Sequence, residues 1–509
     1  MPEPWQQLSE SYPFSVNHAD LARRQQQWLM DCVMRNKNCD YGKQYHFEQI
    51  KSVTEYQRKL PIVTYEDISV YINRIQKGEA DSLFSGSALA FERTSGSSSE
   101  PKLIPYSSYS LQDFRRAILP WFCNLGRQYQ LNSGLAYWAI SPATRQMEIT
   151  TAGIPVGLPD AAYLGEDLIP FFMQVSAIPY WVGEIPDVSD WQLATLYYLV
   201  CSRDLSVISV WSPSFLLTLI EALSCRRTEL EALLKNGMKM YGHELPANPE
   251  IINILAEYYA HKIMKTLWPD LKVISCWGDA SSKPFFELLK SRFPETELQA
   301  KGLLLTEGVV TMPDQNSHKL LCADSGFYEF IDQADDLKLA HQLEPGTNYR
   351  VVITTSGGLY RYQTNDWVAC RGHVSDLPIL EFIGRDSCSD MVGEKLTEAF
   401  ATSCLEPIPG FRMLLPVLSK TPGYLLILED QPDSESLVQS VETRLLANSQ
   451  YAYARKMGQL KPLGALRLIK PLDIYLNSAQ HNETRLGDIK VPSICVKTAI
   501  FKNYIGSAA

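Results

Sequence analysis

The sequence predicts an α/β protein with a large N-terminal domain over residues 1–384 and a small α+β domain over residues 385–509. Three observations carry that reading. Strand-like and helix-like runs alternate between Leu135 and Leu298, the rhythm of mixed or largely parallel sheets covered by helices. Between Gly326 and Ile383 the rhythm changes to short strands with turns at Pro345-Gly346 and Gly357-Gly358, which predicts a small antiparallel β subdomain. Beyond Phe382-Ile383-Gly384-Arg385-Asp386 the chain has its own mixture of helices and strands.

Taken in order, Leu21, Trp28, Leu29, Cys32 and Val33 recur at helical spacing within residues 19–37, and Asn36 to Gly42 breaks the pattern. Pro61 to Asp67 leads into a second helix through Tyr71 to Ile75 that stops at Gly78. Ala88 to Phe91 reads as a strand. Ser107 to Tyr129 reads as a helix bent at Pro120. Leu135 to Ser141, Gln146 to Thr151 and Val207 to Trp211 read as strands, the last followed by a helix from Pro213 to Leu223. Pro249 to Trp268 reads as one long helix, Leu271 to Trp277 as a buried strand, and Lys283 to Phe293 as a helix before a strand near Leu298. In the C-terminal part the pattern predicts a helix from Glu394 to Cys404, strands at Arg412 to Leu418 and Tyr424 to Leu428, and a helix from Ser434 to Ala447.

Composition narrows the function. Hydrophobic residues make up 45% and charged residues 20% of the chain, with 26 Tyr and 10 Trp, the profile of a packed protein and not of a disordered one. A net charge of −10 and a pI near 5.4 argue against a nucleic-acid surface, which requires a concentrated basic face. The eleven cysteines include no C-x-x-C pair, so neither a disulfide framework nor a zinc ribbon is indicated and a reducing cytoplasm fits. No signal-like N-terminus and no long apolar run are present, which predicts no membrane association.

The stretch from Phe91 to Tyr106 holds the first candidate site. A strand empties into five small polar residues, Thr94 to Ser98, whose amides and hydroxyls around Gly96 can cradle anionic oxygens. Lys102 adds a cation at the rim. A flexible Ser/Gly linker satisfies the same composition. The loop is neither a Walker loop nor a dinucleotide fingerprint. If the parallel sheet forms, this loop, Trp277-Gly278-Asp279 and Thr306-Glu307-Gly308 all follow apolar runs and face one crevice beyond the strand ends.

Glu307 interrupts an apolar run, and a carboxylate there requires a partner such as a magnesium ion carried by a nucleotide. Exposure at a strand end is the plain alternative. Asp366 follows an aromatic-rich strand, where its carboxylate suits ribose hydroxyls and Tyr362 suits the face of a base; a hairpin turn explains the same residues. Arg385 and Asp386 stand at the domain boundary, as hinge or as ligand contacts. Lys490 sits in a turn, Leu486-Gly-Asp-Ile-Lys-Val-Pro492, and by itself reads as a surface lysine. There is no H-E-x-x-H, no G-x-S-x-G elbow and no kinase signature, so a zinc hydrolase, a serine hydrolase and a protein kinase are unsupported.

In this order, the segments resemble the Gretchen Hagen auxin-responsive acyl-acid amido synthetase family, in a form like its bacterial members, within the acyl-adenylate-forming superfamily. The resemblance runs through Asn38-Cys-Asp-Tyr-Gly42, Leu60-Pro-Ile-Val-Thr-Tyr-Glu-Asp67, Thr94-Ser-Gly with Lys102-Leu-Ile-Pro105, Ser209-Val-Trp-Ser-Pro213, Thr306-Glu-Gly308, Gly358-Leu-Tyr-Arg-Tyr362, Phe382-Ile-Gly-Arg385, Gly393-Glu-Lys395 and Lys490-Val-Pro492. It implies an adenylate-forming fold with a mobile C-terminal domain, ATP and Mg2+ as cofactors, and two half-reactions. A carboxylic acid first attacks the α-phosphorus of ATP and releases pyrophosphate. An amine, typically of an amino acid, then displaces AMP.

The resemblance further implies roles for single residues. Ser95, Gly96, Ser97, Ser98 and Lys102 would hold phosphates, Thr306 the α-phosphate, Glu307 the metal, and Asp366 the ribose. Lys490 would be the adenylation lysine. Gly278, Asp279, Tyr362 and Arg385 join the expected nucleotide site. Trp211, Ser212 and Trp277 are candidates for the acyl pocket by position, though tryptophans are usually packing residues. The implied partners are small-molecule substrates and enzymes of a biosynthetic pathway. Two departures stand out: Leu303 replaces the aromatic of the plant pattern, and Asn365 replaces a glycine. Transfer to a coenzyme A or carrier-protein thiol, and a non-catalytic nucleotide-binding relative, are the alternative functions.

Overall fold

In a computed structural model of the chain, the described residues are 3–11, 20–93, 102–138, 148–158, 163, 165, 168–385, 388–405, 411–429, 434–472, 474–475, 493–495 and 498–505. The chain divides into two compact units, one of Met1–Thr94 and Leu103–Arg385, the other of Ser95–Lys102 and Asp386–Ala509.

Three sheets build the first unit. Strands β1 (Ala90–Arg93), β2 (Leu103–Tyr106), β4 (Glu148–Ile149) and β5 (Pro155–Val156) form a small sheet in the order β2-β1-β5-β4. A parallel sheet holds β3 (Leu135–Trp138), β6 (Leu205–Ser209), β9 (Val273–Cys276) and β10 (Glu297–Ala300) in the order β10-β9-β6-β3. Its inner strands β6 and β9 are buried throughout, so they show no apolar–polar alternation and their only polar residues are the small Ser206, Ser209 and Ser275.

The third sheet is antiparallel and has seven strands: β11 (Thr311–Pro313), β12 (Lys319–Leu321), β13 (Phe327–Ile331), β14 (Leu337–Leu339), β15 (Asn348–Thr354), β16 (Tyr362–Val374) and β17 (Leu377–Arg385). A separate hairpin pairs β7 (Met238–Met240) with β8 (His243–Leu245). The helix Leu21–Arg35 packs Leu21, Leu29, Cys32 and Val33 into the core beneath the seven-stranded sheet. The turn before β16 depends on Gly358, whose φ of 89° and approach to the Leu83 Cβ, 2.6 Å from where a side chain would begin, admit glycine alone.

In the second unit β18 (Cys388–Ser389) pairs with β19 (Leu396–Thr397), and β20 (Arg412–Val417), β21 (Gly423–Glu429) and β22 (Gly464–Leu468) form a three-stranded sheet. Met413, Leu415, Ile427 and Leu466 lie in its core.

Several expectations need correction. The helix expected over Pro249–Trp268 is two, Glu250–His261 and Met264–Leu267, because Lys262 takes a left-handed conformation at φ 56° and returns its N–H to Tyr258 O. The helix expected from Glu394 starts at Glu398, because the Glu394 carboxylate turns inward to accept the N–H groups of Met391 and Val392. The helix Val188–Cys201 went unexpected: it is buried on nearly every side and shows no polar stripe. Pro120 lies inside the continuous helix Ser108–Gln128, whose N-terminus Ser107 caps. A strand, β2, separates the opening loop from that helix.

Candidate active site

The opening loop spans a hairpin. β1 and β2 pair antiparallel with Arg93 opposite Leu103 and Ala90 opposite Tyr106. Of the loop residues, Ser95, Gly96, Ser97 and Ser98 lie outside the described residues, while Lys102 is half-buried immediately before β2.

The far end of β2 leads to the second motif. Leu305 and Gly308 exchange backbone hydrogen bonds of 2.9 and 3.2 Å, and Leu304 bridges Val309, so Thr306 and Glu307 occupy the tip of a two-residue hairpin. The Tyr106 hydroxyl donates to the Thr306 carbonyl at 2.6 Å. This fastens the turn to β2. Gly302 allows the chain to reach it, because a Cβ there would lie 2.0 Å from the Thr311 carbonyl oxygen. Glu307 is 9% exposed and lines a pocket with Tyr106, Ser110, Asp113, Phe114 and Thr355.

The third motif is placed by sheet register. Asp366 on β16 stands opposite Arg385 on β17, with Arg385 Nε 3.5 Å from Asp366 Oδ1. Arg385 also donates to the Thr364 carbonyl at 2.9 Å. Asn365, in the place of glycine, sits at φ 64°, a conformation asparagine tolerates. Tyr362 is 4% exposed and packs in the core, so little of its ring is left for a base to stack on. Burial raises its phenol well above the usual value, Glu307 adds to that and Arg385 opposes it, so the tyrosine links the two motifs electrostatically. Arg361, on the same segment, is committed to a buried pair with Glu329 at 2.9 Å and to the Leu60 carbonyl.

The residues after the parallel strands gather at their carboxyl ends. Trp277 N–H donates to the Trp211 carbonyl at 2.8 Å, and the two rings lie 6.0 Å apart. Trp211 is 47% exposed, which tells against a core role. Ser212 is buried and hydrogen-bonds Ser214 at 2.7 Å. Gly278 packs against Ala300 and Phe286. Asp279 is held by Lys319 and accepts the Phe382 N–H at 3.3 Å, so its carboxylate is engaged within the protein; burial raises its pKa and Lys319 opposes the rise.

Two residues of this unit escaped the sequence reading. Lys301, at the end of β10, is buried and donates at 2.9 Å to both Ser209 Oγ and the Val210 carbonyl, with its ammonium 4.6 Å over the Trp211 ring. Asp113 is buried on the helix Ser108–Gln128. Lys301 is flanked by Ala300 and the apolar run Leu303–Leu305, a weak local signal, whereas Asp113 lies among mostly polar neighbours in sequence. Asp113 precedes Ala117 and Trp121 by one and two turns, on the buried stripe.

In the second unit Lys490 and Asp386 lie outside the described residues. The chain re-enters at Ser493, where Glu398 accepts the N–H groups of Ser493 and Ile494. There Leu414 bridges Ile494, alongside β20.

Comparison with known proteins adds an independent line. Residues 14–298 match the model of the GH3 family N-terminal domain, and residues 319–385 that of the GH3 family central domain. A jasmonoyl–L-amino acid synthetase of Nicotiana attenuata is 21% identical over 415 residues, covering 73% of this chain and 70% of that one. An indole-3-acetic acid-amido synthetase of Arabidopsis thaliana is 23% identical, covering 75% and 71%. A solved acyl acid amido synthetase in complex with 2,4-DB superposes with a TM-score of 0.68 at 19% identity, covering 99% of this chain and 96% of that chain.

Proposed function

Because the chain belongs to the GH3 family, it is an ATP-dependent acyl-acid amido synthetase of the adenylate-forming class, and we propose that the Thr306-Glu307 turn and its pocket are the centre of that reaction. A small carboxylic acid and an amine or amino acid are its substrates. The acid oxygen attacks the α-phosphorus of ATP and pyrophosphate leaves. The amine nitrogen then forms the C–N bond as the bond to the adenylate oxygen breaks, and AMP departs with the electron pair.

The observation that carries this reading is the hairpin tip itself. It presents Thr306 and the nearly buried carboxylate of Glu307 beside the strand that leaves the phosphate loop, held there by Tyr106. The described residues contain no group of three or more potential metal ligands. Glu307 would be the residue that holds a magnesium ion brought with ATP. The ion would neutralise charge on the phosphates.

The remaining assignments follow from family resemblance and local geometry. Ser95, Gly96, Ser97, Ser98 and Lys102 cradle phosphates, and Thr306 contacts the α-phosphate. Asp366, oriented by Arg385, accepts from ribose hydroxyls. Trp211 and Trp277 form an aromatic wall for the acyl group, over Lys301. Gly278, Asp279 and Ser212 hold these walls in place. Lys490 from the domain of residues 385–509 approaches the α-phosphate during adenylation and is withdrawn for amide formation.

We read the chain as a bacterial-type member on Leu303 and Asn365, the two departures from the plant pattern. The described cysteines are all free thiols, which supports a cytoplasmic setting. Among the described residues no helix is long and apolar enough to cross a membrane.

Screening carboxylic acids for pyrophosphate release, and then amines for a mass-identified conjugate, tests the function. At least one acid yields pyrophosphate and an amide. A thioester in place of the amide assigns the acceptor to a thiol, and no acid-dependent release at all defeats adenylation.

A further inference from the structure

We propose that Lys301 is a positioning residue for the acyl acid: its ammonium fixes the Trp211 ring, and through that ring sets how tightly the acid is held. The inference rests on the reading of Trp211 and Trp277 as the acyl wall and adds the group that keeps the wall in place.

The backbone at Trp211 is tied on both sides. Val210 N–H donates to the Ser275 carbonyl at 3.0 Å, and the Trp211 carbonyl accepts the Trp277 N–H at 2.8 Å. The side chain is half-exposed, so its rotamer is the degree of freedom that remains. Two groups lie against the ring: the Trp277 ring at 6.0 Å, tilted by 40°, and the Lys301 ammonium at 4.6 Å.

The sheet aims Lys301 at this ring. Its N–H donates to the Cys276 carbonyl at 2.8 Å, which carries the parallel pairing of β10 with β9 one residue further. Side chains two apart on a strand share a face, so Lys301 lies with Gln299. Gln299 Oε1 accepts from Trp121 Nε1 at 2.7 Å and from Ser275 Oγ at 3.3 Å. The Lys301 ammonium crosses β9 to the end of β6, donates at 2.9 Å to Ser209 Oγ and to the Val210 carbonyl, and stands 5.5 Å from the Trp121 ring. Trp121 is buried and held by Gln299. Trp211 is therefore the ring that the cation orients.

The sheet does not need a lysine here. β9 already pairs with both β6 and β10, and burying an ammonium costs more than burying an apolar side chain of the same length. A cation against an indole face is attracted to it, and more strongly where water is excluded. Fixing the ring before the acid arrives removes an ordering cost from binding. No bond is made or broken at Lys301.

The test uses the full chain with ATP and magnesium. The acid requirement for pyrophosphate release is read with the best-used member of a panel of benzoate, phenylacetate, indole-3-acetate, jasmonate and hexanoate. Lys301→Met keeps the length of the side chain and removes the cation. It is expected to raise the acid concentration for half-maximal release about tenfold, and that of ATP less than about twofold. Trp211→Leu should raise the acid requirement at least as much. The double variant should match Trp211→Leu alone within about twofold, because the lysine acts through the ring.

Effects that multiply in the double variant, an unchanged acid requirement in Lys301→Met, or an equal rise for ATP overturns the proposal. Lys301→Arg keeps a cation beneath the ring and covers a methionine variant that fails to fold. Its acid requirement should lie below that of Trp211→Leu, and a requirement equal to it overturns the proposal. An unchanged acid requirement in Trp211→Leu would defeat the acyl wall and the proposal with it. Absence of pyrophosphate release in the parent with every acid would instead defeat the underlying amido synthetase reading.

Discussion

The Tyr106 hydroxyl donates a 2.6 Å hydrogen bond to the Thr306 carbonyl, joining β2, which follows the phosphate loop, to the turn that carries Glu307. Tyr106 is 6% exposed and this bond satisfies its hydroxyl. Tyr106→Phe should therefore cost about 1 kcal/mol of stability and lower acid-dependent pyrophosphate release roughly tenfold, through a loosened turn. Denaturant unfolding and a pyrophosphate assay measure both. An unchanged rate would separate the turn from catalysis.

Glu307 is assigned to the metal, and Glu307→Gln keeps its size while removing its charge. The magnesium concentration for half-maximal adenylation should rise about tenfold or more. A magnesium titration that coincides with the parent's would remove Glu307 from the metal site.

The two half-reactions separate the role of Lys490. Lys490→Ala should reduce adenylation by a factor of roughly a hundred or more and leave transfer from a preformed acyl-adenylate within a few-fold of the parent. Equal loss in both halves would contradict the assignment.

Glu394 gives the second unit a pH dependence. It is fully buried, and although Val392 N–H, Met391 N–H and the Tyr424 hydroxyl all donate to it, burial and Asp390 raise its carboxyl to about 7. The folded state thus binds this proton more tightly than the unfolded chain. Its contribution to stability is full below the ordinary glutamate value near 4.5 and is lost as pH rises through about 7. A loss on the order of 2–3 kcal/mol over that window is expected, and Glu394→Gln should flatten it. Denaturant midpoints across the window, with parallel slopes for parent and variant, would contradict the account.

Much of the fold was legible because its signals are local. The inner parallel strands announce themselves as short β-branched, mostly apolar runs, and the antiparallel sheet by its turns at Pro345-Gly346 and Gly357-Gly358. Glu307 was visible as a charge interrupting an apolar run, whereas Asp366, expected after a strand, lies within β16 and meets Arg385 only through the register of β16 with β17. What was hidden depends on tertiary context. Val188–Cys201 carries no polar face because other elements cover it on nearly all sides. The burial of Asp113 beside Arg116 arises only when the helix docks. Lys301 likewise becomes notable only once β6 and β10 bring Ser209 and Trp211 to its ammonium. Tyr362 misled for the same reason: its spacing suggests an exposed aromatic wall, and the packing of β16 buries it.

The central claim is that a carboxylate oxygen of the substrate bonds to the α-phosphorus of ATP. Turnover with an acid labelled at its carboxylate with oxygen-18, in the presence of an accepted amine, tests this most directly. The account predicts that the released AMP carries one labelled oxygen and that the amide keeps the other. Unlabelled AMP, or ADP with labelled inorganic phosphate, would contradict it.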